Sequence, residues 1–409
     1  MADELSMPPS PGDGTNPPGS PEGSPGASST ERPAWWIYRG TGRPLAEGEL
    51  AAALPPPPPW RTFDGGPALP SPPADERDFV RRLGPVAGGR PRLADREEID
   101  IVNTALLLRR PLLITGEPGV GKSSLAYRVA RELGLGRVLR WPVSSRSTLR
   151  EGLYEYDAIG RAQDAATARQ LAGSGRGQHS GPEADDARRA RPVRDGHTDG
   201  DANGGGAAGA TADTGLGNYL QLGALGTALL PYELPRVLLI DELDKSDIDL
   251  PNDLLDVFEE GEYRIPELVR VGAREPVVTV HTADPGGTAE IVRGHVRCRA
   301  FPLIFITSNG ERDFPPAFLR RCLLYTMKEP DEARLADMVS AHFTDSSDER
   351  TRQLVRRFLE YRRSQGRLAA DQLLNAAYLT SSGRHIPGDE WERVLDLVWQ
   401  RLNPEAAAE

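Results

Sequence analysis

The chain has 409 residues, with 49 basic and 60 acidic side chains and a formal net charge of −11 at neutral pH. The length predicts more than one domain, and the acidic balance argues against a dedicated nucleic-acid-binding protein, which would normally present a basic surface. No apolar run is long enough to span a membrane, and residues 1–5 lack the basic start of a signal peptide. Two cysteines and six scattered histidines show no disulfide framework or zinc spacing. We therefore expect a cytoplasmic protein.

Residues 1–75 contain 18 of the 37 prolines, together with much glycine and serine. Such a segment cannot bury enough apolar surface to offset the entropy of ordering it, so we predict a disordered tail. One aromatic cluster, with Trp35, Trp36 and Tyr38, interrupts it within residues 35–42. Because aromatic side chains are unusual in solvated tails, we expect this segment to dock, either on the core of its own chain or on a partner.

Residues 76–330 alternate short apolar runs with helical patterns. Asp95 is a plausible N-cap for a helix over 92–109, and a second helix is expected over about 122–133. Five apolar runs predict buried strands at 111–115, 138–143, 237–240, 303–307 and 323–326. Strands that alternate with helices predict an α/β domain with a parallel sheet between two layers of helices.

Two further segments complete the predicted organisation. Residues 172–214 contain Val193 as their only large apolar residue, which predicts a disordered surface insertion. Residues 331–409 show helical patterns and predict a small all-α domain. Its four helices are expected at 331–343, 348–363, 368–380 and 389–402.

The strongest motif lies directly after the first predicted strand and directly before a predicted helix. It fits the pattern G-x-x-x-x-G-K-[ST], whose backbone N–H groups cradle phosphates at a helix N-terminus. A chance glycine-rich turn is disfavoured by the order of strand, motif and helix. Lys122 is expected to reach the terminal phosphates, and Ser123 to ligate Mg²⁺. The residues expected to bind nucleotide are Gly116, Glu117, Pro118, Gly119, Val120, Gly121, Lys122, Ser123 and Ser124.

An apolar strand that ends in Asp241 and Glu242 supplies the second signal. Asp241 is expected to bind nucleotide through Mg²⁺, and Glu242 to polarise an attacking water. The alternative is an acidic strand end beside an acidic helix. The later carboxylates, from Asp244 to Glu260, lie largely off an apolar helical face, so we interpret them as a solvated or inter-subunit face and not as a metal site.

Two more candidates follow the fourth predicted strand. Asn309 could orient the lytic water or sense the terminal phosphate; the alternative is an asparagine that caps a turn. Arg320 and Arg321 end a short helix before the fifth strand. A guanidinium can stabilise charge on a transferring phosphoryl group, and we expect this pair to serve a neighbouring subunit in a ring. A surface salt-bridge pair is the alternative.

Over about residues 90–380 the sequence resembles the AAA+ ATPases. The motifs match that family's Walker A, Walker B, sensor 1 and arginine-finger elements in order. Within the family, residues 146–157 and 222–228 are similar to the MoxR-type branch. Three further stretches are similar to MoxR-like ATPases of bacterial conflict systems, namely 35–40, 109–113 and 244–251.

The resemblance implies an AAA+ parallel sheet followed by a helical lid, with ATP and Mg²⁺ as ligands. Arg321 is the expected finger and Arg320 its neighbour. The family carries a second sensor arginine at a lid helix, where this chain has Asp371; Arg367 could substitute. A guanine signature, Asn-Lys-x-Asp, is absent from the sequence, so ATP is preferred over GTP.

The family's activity implies an ATPase that works as a homo-oligomeric ring, usually a hexamer. Such rings remodel or activate protein partners, often ones with a von Willebrand factor A domain, and here this would occur in a conflict or defence system. Two alternatives stay open. One is a low-turnover ATP-dependent assembly switch, which the departure at Asp371 favours. The other is a nucleic-acid-directed motor resembling restriction-associated NTPases, against which the net charge argues.

Overall fold

A computed structural model describes residues 33–85, 94–174, 215–343, 349–365, 368–381 and 388–399. The chain divides into two compact units between Trp35 and Trp36. Of the first unit, residues 33–35 are described and contain a turn. All the helices and strands below belong to the second unit.

The helices are α1 Glu49–Ala53, α2 Glu76–Leu83, α3 Arg96–Leu108, α4 Lys122–Leu133, α5 Leu149–Leu153, α6 Ala158–Ser174, α7 Ala224–Ala228, α8 Leu250–Glu260, α9 Pro266–Val271, α10 Pro316–Arg321, α11 Glu332–His342, α12 Glu349–Gln365, α13 Ala370–Ser381 and α14 Gly388–Val398. The strands are β1 Leu112–Thr115, β2 Leu139–Pro142, β3 Tyr154–Tyr156, β4 Leu220–Leu222, β5 Val237–Asp241, β6 Glu262–Arg264, β7 Val277–His281, β8 Thr288–Val292, β9 His295–Arg297, β10 Leu303–Ser308 and β11 Leu323–Thr326. Short 3-10 turns lie at Pro59–Arg61, Leu216–Tyr219 and Leu243–Lys245.

Five parallel strands form the central sheet in the order β11-β1-β10-β5-β2, which confirms the five strands predicted from apolar runs. Successive side chains along a strand point to opposite faces of a sheet. Leu238 and Ile240 of β5 accordingly lie in one core with residues of α8, whereas Leu239 lies in a second core with residues of α3 and α4. Both faces of the sheet are therefore covered, as expected for an α/β domain.

A second sheet of six short strands was not predicted from the sequence. Its order is β3-β4-β7-β8-β9-β6, and its pairings are antiparallel except between β4 and β7. Strands β7 and β8 alternate buried and exposed residues, a pattern of period two that could have identified them. Strands β3 and β4 have three residues each and meet only through folding, so no local pattern marks them.

Residues 36–75 differ from the disordered tail that their proline content predicts. Ile37 and Tyr38 are buried, and their N–H groups donate to Asn103 Oδ1 at 2.8 and 2.9 Å. The N–H groups of Arg39 and Gly42 donate to the Glu132 carboxylate at 2.6 and 2.8 Å. The segment has no core of its own, but α3 and α4 supply the apolar surface and the hydrogen-bond partners that order it. Residues 1–32 of the predicted tail lie outside the described residues.

The aromatic segment therefore docks on its own chain from residue 36 onward. Trp36 donates from its indole nitrogen to Asp100 Oδ1 at 2.8 Å. Asn103 in turn donates to the carbonyl of Tyr38 at 2.7 Å, so one asparagine side chain pairs with both N–H and C=O groups of the segment. This reciprocal pairing replaces the hydrogen bonds that an extended peptide would otherwise make with water.

The helical domain lies close to its predicted position. Helices α11 to α14 occupy the four predicted helical stretches and share a core of their own that includes Phe358, Leu373 and Trp399. Helix α6 ends at Ser174, so residues 172–174 of the predicted disordered insertion are helical. Residues 175–214 lie outside the described residues.

A buried carboxylate joins the helical domain to the α/β domain. Glu98 is fully buried and accepts hydrogen bonds from Arg128 of α4 at 3.0 Å and Arg334 of α11 at 2.9 Å. The Tyr38 hydroxyl also donates to it at 3.2 Å. Removing one partner of a buried ion pair leaves the other charges desolvated without compensation, which is strongly destabilising.

We predict that Glu98→Gln lowers the free energy of unfolding by about 3 kcal/mol, because the buried Arg128 guanidinium loses its counter-charge and Arg334 loses one of its two carboxylate partners. The matched control is Glu97→Gln, since Glu97 is the adjacent residue of α3 and pairs with Lys328 at the exposed surface. The control should change stability little. Urea titration followed by circular dichroism measures both shifts, and equal shifts in the two variants would contradict the prediction.

Candidate functional site

The glycine-rich loop between β1 and α4 has a backbone that depends on its glycines. Gly116, Gly119 and Gly121 have φ values of 147°, 77° and 99°. Residues other than glycine rarely adopt such positive φ values. A Cβ at Gly119 would lie 2.4 Å from the Ala369 side chain, and one at Gly116 would lie 2.6 Å from the Met327 carbonyl. The loop thus packs closely on its surroundings and leads into the first turn of α4, where N–H groups have no intrahelical partner.

Lys122 folds back over this loop. Its ammonium donates to the carbonyl oxygens of Gly116 and Glu117 at 2.6 and 2.9 Å and to Asn309 Oδ1 at 2.8 Å. Burial lowers the pKa of Lys122, and nearby carboxylates, Asp244 first among them, oppose that effect. The structure therefore brings together two of the predicted residues, Lys122 and Asn309.

Asp241 lies at the end of β5 and accepts four hydrogen bonds. Its Oδ1 accepts from Ser123 Oγ at 2.7 Å and from Thr307 Oγ1 at 2.8 Å. Its Oδ2 accepts from Arg140 Nη2 and Nε at 2.7 and 3.1 Å. Burial raises the pKa of Asp241, but the hydrogen bonds from Ser123, Arg140 and Thr307 outweigh it and hold the pKa below its ordinary value.

Glu242 follows at the carboxyl edge of the sheet in a left-handed conformation, with φ 62° and ψ 50°. This conformation is uncommon for a residue with a side chain. Its N–H donates to Thr307 Oγ1 at 2.9 Å, which holds the turn in place. Its carboxylate is part-exposed and pairs with Lys245 Nζ at 2.8 Å. The turn directs Glu242 away from the strand and towards the cavity, whose lining it joins.

Two residues of the candidate site were missed or misassigned from the sequence. Thr307, the last residue of the strand predicted at 303–307, bridges Asp241 and Glu242. Asp244, which was predicted on a solvated or inter-subunit face, is buried, and its Oδ2 accepts from the N–H groups of Asn309 at 2.9 Å and Glu311 at 3.1 Å. Asp244 therefore positions the loop that carries Asn309.

The arginine pair lies apart from these residues. Arg321 pairs with Glu259 of α8, with its Nε 2.5 Å from the carboxylate, and Arg320 is exposed at the end of α10. Neither arginine is among the described residues that line the cavity around the glycine-rich loop. The structure thus does not bring the predicted finger residues to the site of their own chain.

A cavity of about 1120 Å³ lies between the glycine-rich loop, the docked N-terminal segment and the helical domain. Asp371 of α13 lines it, at the position where the resemblance expects an arginine, and Arg140 and Arg352 line it without having been predicted. Arg367 lies outside the described residues. The lining includes Tyr38, Gly40, Thr41, Pro118, Gly119, Val120, Gly121, Lys122, Ser123, Ser124, Asp241, Glu242 and Asn309.

The donor set fits a metal ion that arrives with a ligand of its own. Within the described parts of the chain, no group of three or more carboxylate, imidazole or thiol side chains could hold a metal alone. Ser123 and Asp241, 2.7 Å apart, offer a hydroxyl and an ionised carboxylate at the start of α4. Mg²⁺ is typically held by one or two carboxylates together with substrate phosphates, which is the arrangement these residues could complete.

Comparison with known proteins assigns no family. No protein-family model and no curated protein matches the chain. No helix of the described residues is both long and apolar enough to cross a membrane.

We predict that Thr307→Val destabilises the protein by about 1–3 kcal/mol, because the part-buried Glu242 N–H loses its acceptor and Asp241 loses one donor. Thr326→Val is the matched control, since Thr326 lies on β11 of the same sheet with an exposed hydroxyl. Thermal and urea unfolding measure both variants. A Thr307→Val midpoint as close to wild type as that of the control would refute the role of this hydroxyl.

Proposed function

We propose that this protein is an ATPase of the AAA+ type that binds ATP with Mg²⁺ and hydrolyses it. The observation that supports the proposal best is the convergence of the predicted motifs on one cavity. Lys122 and Ser123 begin α4, and they make direct hydrogen bonds to Asn309, which follows β10, and to Asp241, which ends β5. Chance motifs would have no reason to meet at one edge of one sheet.

In this proposal the glycine-rich loop and the first turn of α4 bind the phosphates. Lys122 exchanges its carbonyl partners for phosphate oxygens, which carry a full negative charge and are the stronger acceptors. Ser123 and Asp241 would hold Mg²⁺, which when bound neutralises charge on the phosphates. The cavity volume of about 1120 Å³ leaves room for a nucleotide between the loop and the helical domain.

Hydrolysis needs a base and an oriented water. Glu242 accepts a proton from water as the water oxygen bonds to the terminal phosphorus and the bond to the bridging oxygen breaks, giving ADP and phosphate. Asn309, held through its N–H by Asp244, orients that water. Glu242 has to leave Lys245 before it can act, so breaking this exposed ion pair is part of activation.

The arginine pair completes the site of a neighbouring copy. Arg320 and Arg321 lie away from their own cavity, so a head-to-tail contact, which closes into a ring, is the arrangement in which they reach phosphate. The resemblance to MoxR-type ATPases extends the proposal to a hexameric ring that remodels or activates a protein partner, with a von Willebrand factor A domain as the candidate partner type.

One observation favours a second candidate, a low-turnover assembly switch. Asp371 lines the cavity from α13, and a carboxylate there would repel a terminal phosphate where an arginine would attract it. Such a protein would bind ATP and assemble without needing hydrolysis.

We expect Lys122→Ala and Arg321→Ala proteins each to lose at least about 90% of ATP hydrolysis, since each lacks one half of a shared site. In a 1:1 mixture of exchanging subunits, about a quarter of the sites combine an intact loop with an intact finger, so activity should partly return. Phosphate release measures this. Arg274→Ala, which removes an exposed arginine outside the cavity, serves as the matched control. Full activity of Arg321→Ala alone would contradict the shared site.

Glu242→Gln distinguishes the enzyme from the switch. The variant should bind a fluorescent ATP analogue normally and hydrolyse ATP at least about 100-fold more slowly, because the amide is no base. Turnover by wild type no faster than by Glu242→Gln, with unchanged ATP-dependent assembly in sedimentation experiments, would favour the switch.

A further inference from the structure

Arg140 belongs to the edge strand of the central sheet and was not singled out by any sequence motif. Strand β2 pairs with β5 in parallel, with Pro142 opposite Asp241. From two residues earlier, the Arg140 side chain reaches the carboxylate of Asp241 with two of its nitrogen atoms, at 2.7 and 3.1 Å. The Arg140 side chain is 44% exposed and lines the cavity, so it can move away without unfolding the strand.

The hydrogen bonds leave Asp241 little capacity for another ligand. A carboxylate offers about four lone-pair sites, and four hydrogen bonds from Ser123, Thr307 and Arg140 occupy them. The guanidinium also places a positive charge against Oδ2, where a cation bound to this carboxylate would place its own. A metal ion and Arg140 thus compete for the same carboxylate and the same negative charge.

We propose that Arg140 is a positioning residue that stands in for the metal ion at Asp241 and sets how strongly nucleotide binding depends on Mg²⁺. The inference rests on the proposed nucleotide site. With Arg140 in place, the charge of Asp241 is compensated, so a nucleotide without metal is not repelled by it. A nucleotide with Mg²⁺ has to displace Arg140 first, which reduces the gain in affinity from the metal.

The test compares the affinity for a fluorescent ADP analogue in EDTA with that in Mg²⁺, a binding measurement that needs no turnover. In Arg140→Gln the uncompensated Asp241 carboxylate should weaken binding in EDTA, and the vacant oxygen should favour the metal. We expect the ratio of the dissociation constant in EDTA to that in Mg²⁺ to rise about tenfold over wild type. Arg140→Lys keeps the charge but loses the bidentate contact, so its ratio should lie between those of Arg140→Gln and wild type.

Asp241→Asn removes the carboxylate for which the two cations compete. In that background Arg140→Gln should leave the ratio within about twofold of the single variant, because the interaction energy of a double-mutant cycle vanishes when one partner is absent. Arg150→Gln is the matched control, since Arg150 pairs with Glu267 at 2.9 Å away from the cavity. It removes the same charge and should not change the ratio.

The outcomes separate this inference from the function on which it rests. Wild-type protein that does not bind the analogue at all would overturn both. Normal binding with the same ratio in wild type and Arg140→Gln would overturn only the role of Arg140. An equal rise in the ratio with and without Asp241 would overturn it too, because the effect would then come from general charge and not from this contact.

Discussion

The carboxylate of Asp241 is the point through which the central sheet, the glycine-rich loop and the cavity are held together. Its donors come from α4, β10 and β2, and it ends β5 itself. A buried ionised carboxylate is stable only when its lone pairs are satisfied, so the three donors cannot be lost one at a time without cost. The same requirement aligns Ser123 and Thr307 with the strand end. The structural role of Asp241 and its proposed role towards a metal ion use the same lone pairs.

Helix α4 connects the site around Asp241 to the helical domain and to the docked N-terminal segment. It begins at the loop and carries Arg128 and Glu132 on its buried side. Arg128 pairs with Glu98, which also pairs with Arg334 of the helical domain. Glu132 accepts hydrogen bonds from backbone N–H groups of the docked N-terminal segment. Glu98 pairs with both Arg334 of α11 and Arg128 of α4. A displacement of α11 therefore has to alter the contacts of this buried carboxylate. This is a direct physical link between the position of the helical domain and the helix that follows the glycine-rich loop.

Some parts of this arrangement were predictable because their causes are local. Fully buried parallel strands are continuous apolar runs, so β1, β5 and β10 stand out from the sequence, and Asp95 caps α3 as its position predicts. The second sheet did not stand out, since β3 and β4 are three-residue strands joined by long-range pairing. Arg140 and Asp244 were missed because an exposed-looking arginine and one carboxylate among many have no local signature.

The sequence by itself determined the order of the central strands' motifs, the glycine-rich loop at the start of α4 and the identity of Lys122, Ser123, Asp241 and Asn309 as candidates. These follow from residue type and spacing over short stretches of chain. Only the tertiary structure decided that residues 36–42 dock on α3 and α4, that Asp244 is buried, and that Arg140 donates hydrogen bonds to the Asp241 carboxylate. Each of these depends on partners tens of residues or more away in the sequence, and a hydrogen bond or an ion pair forms only where folding brings its two atoms together.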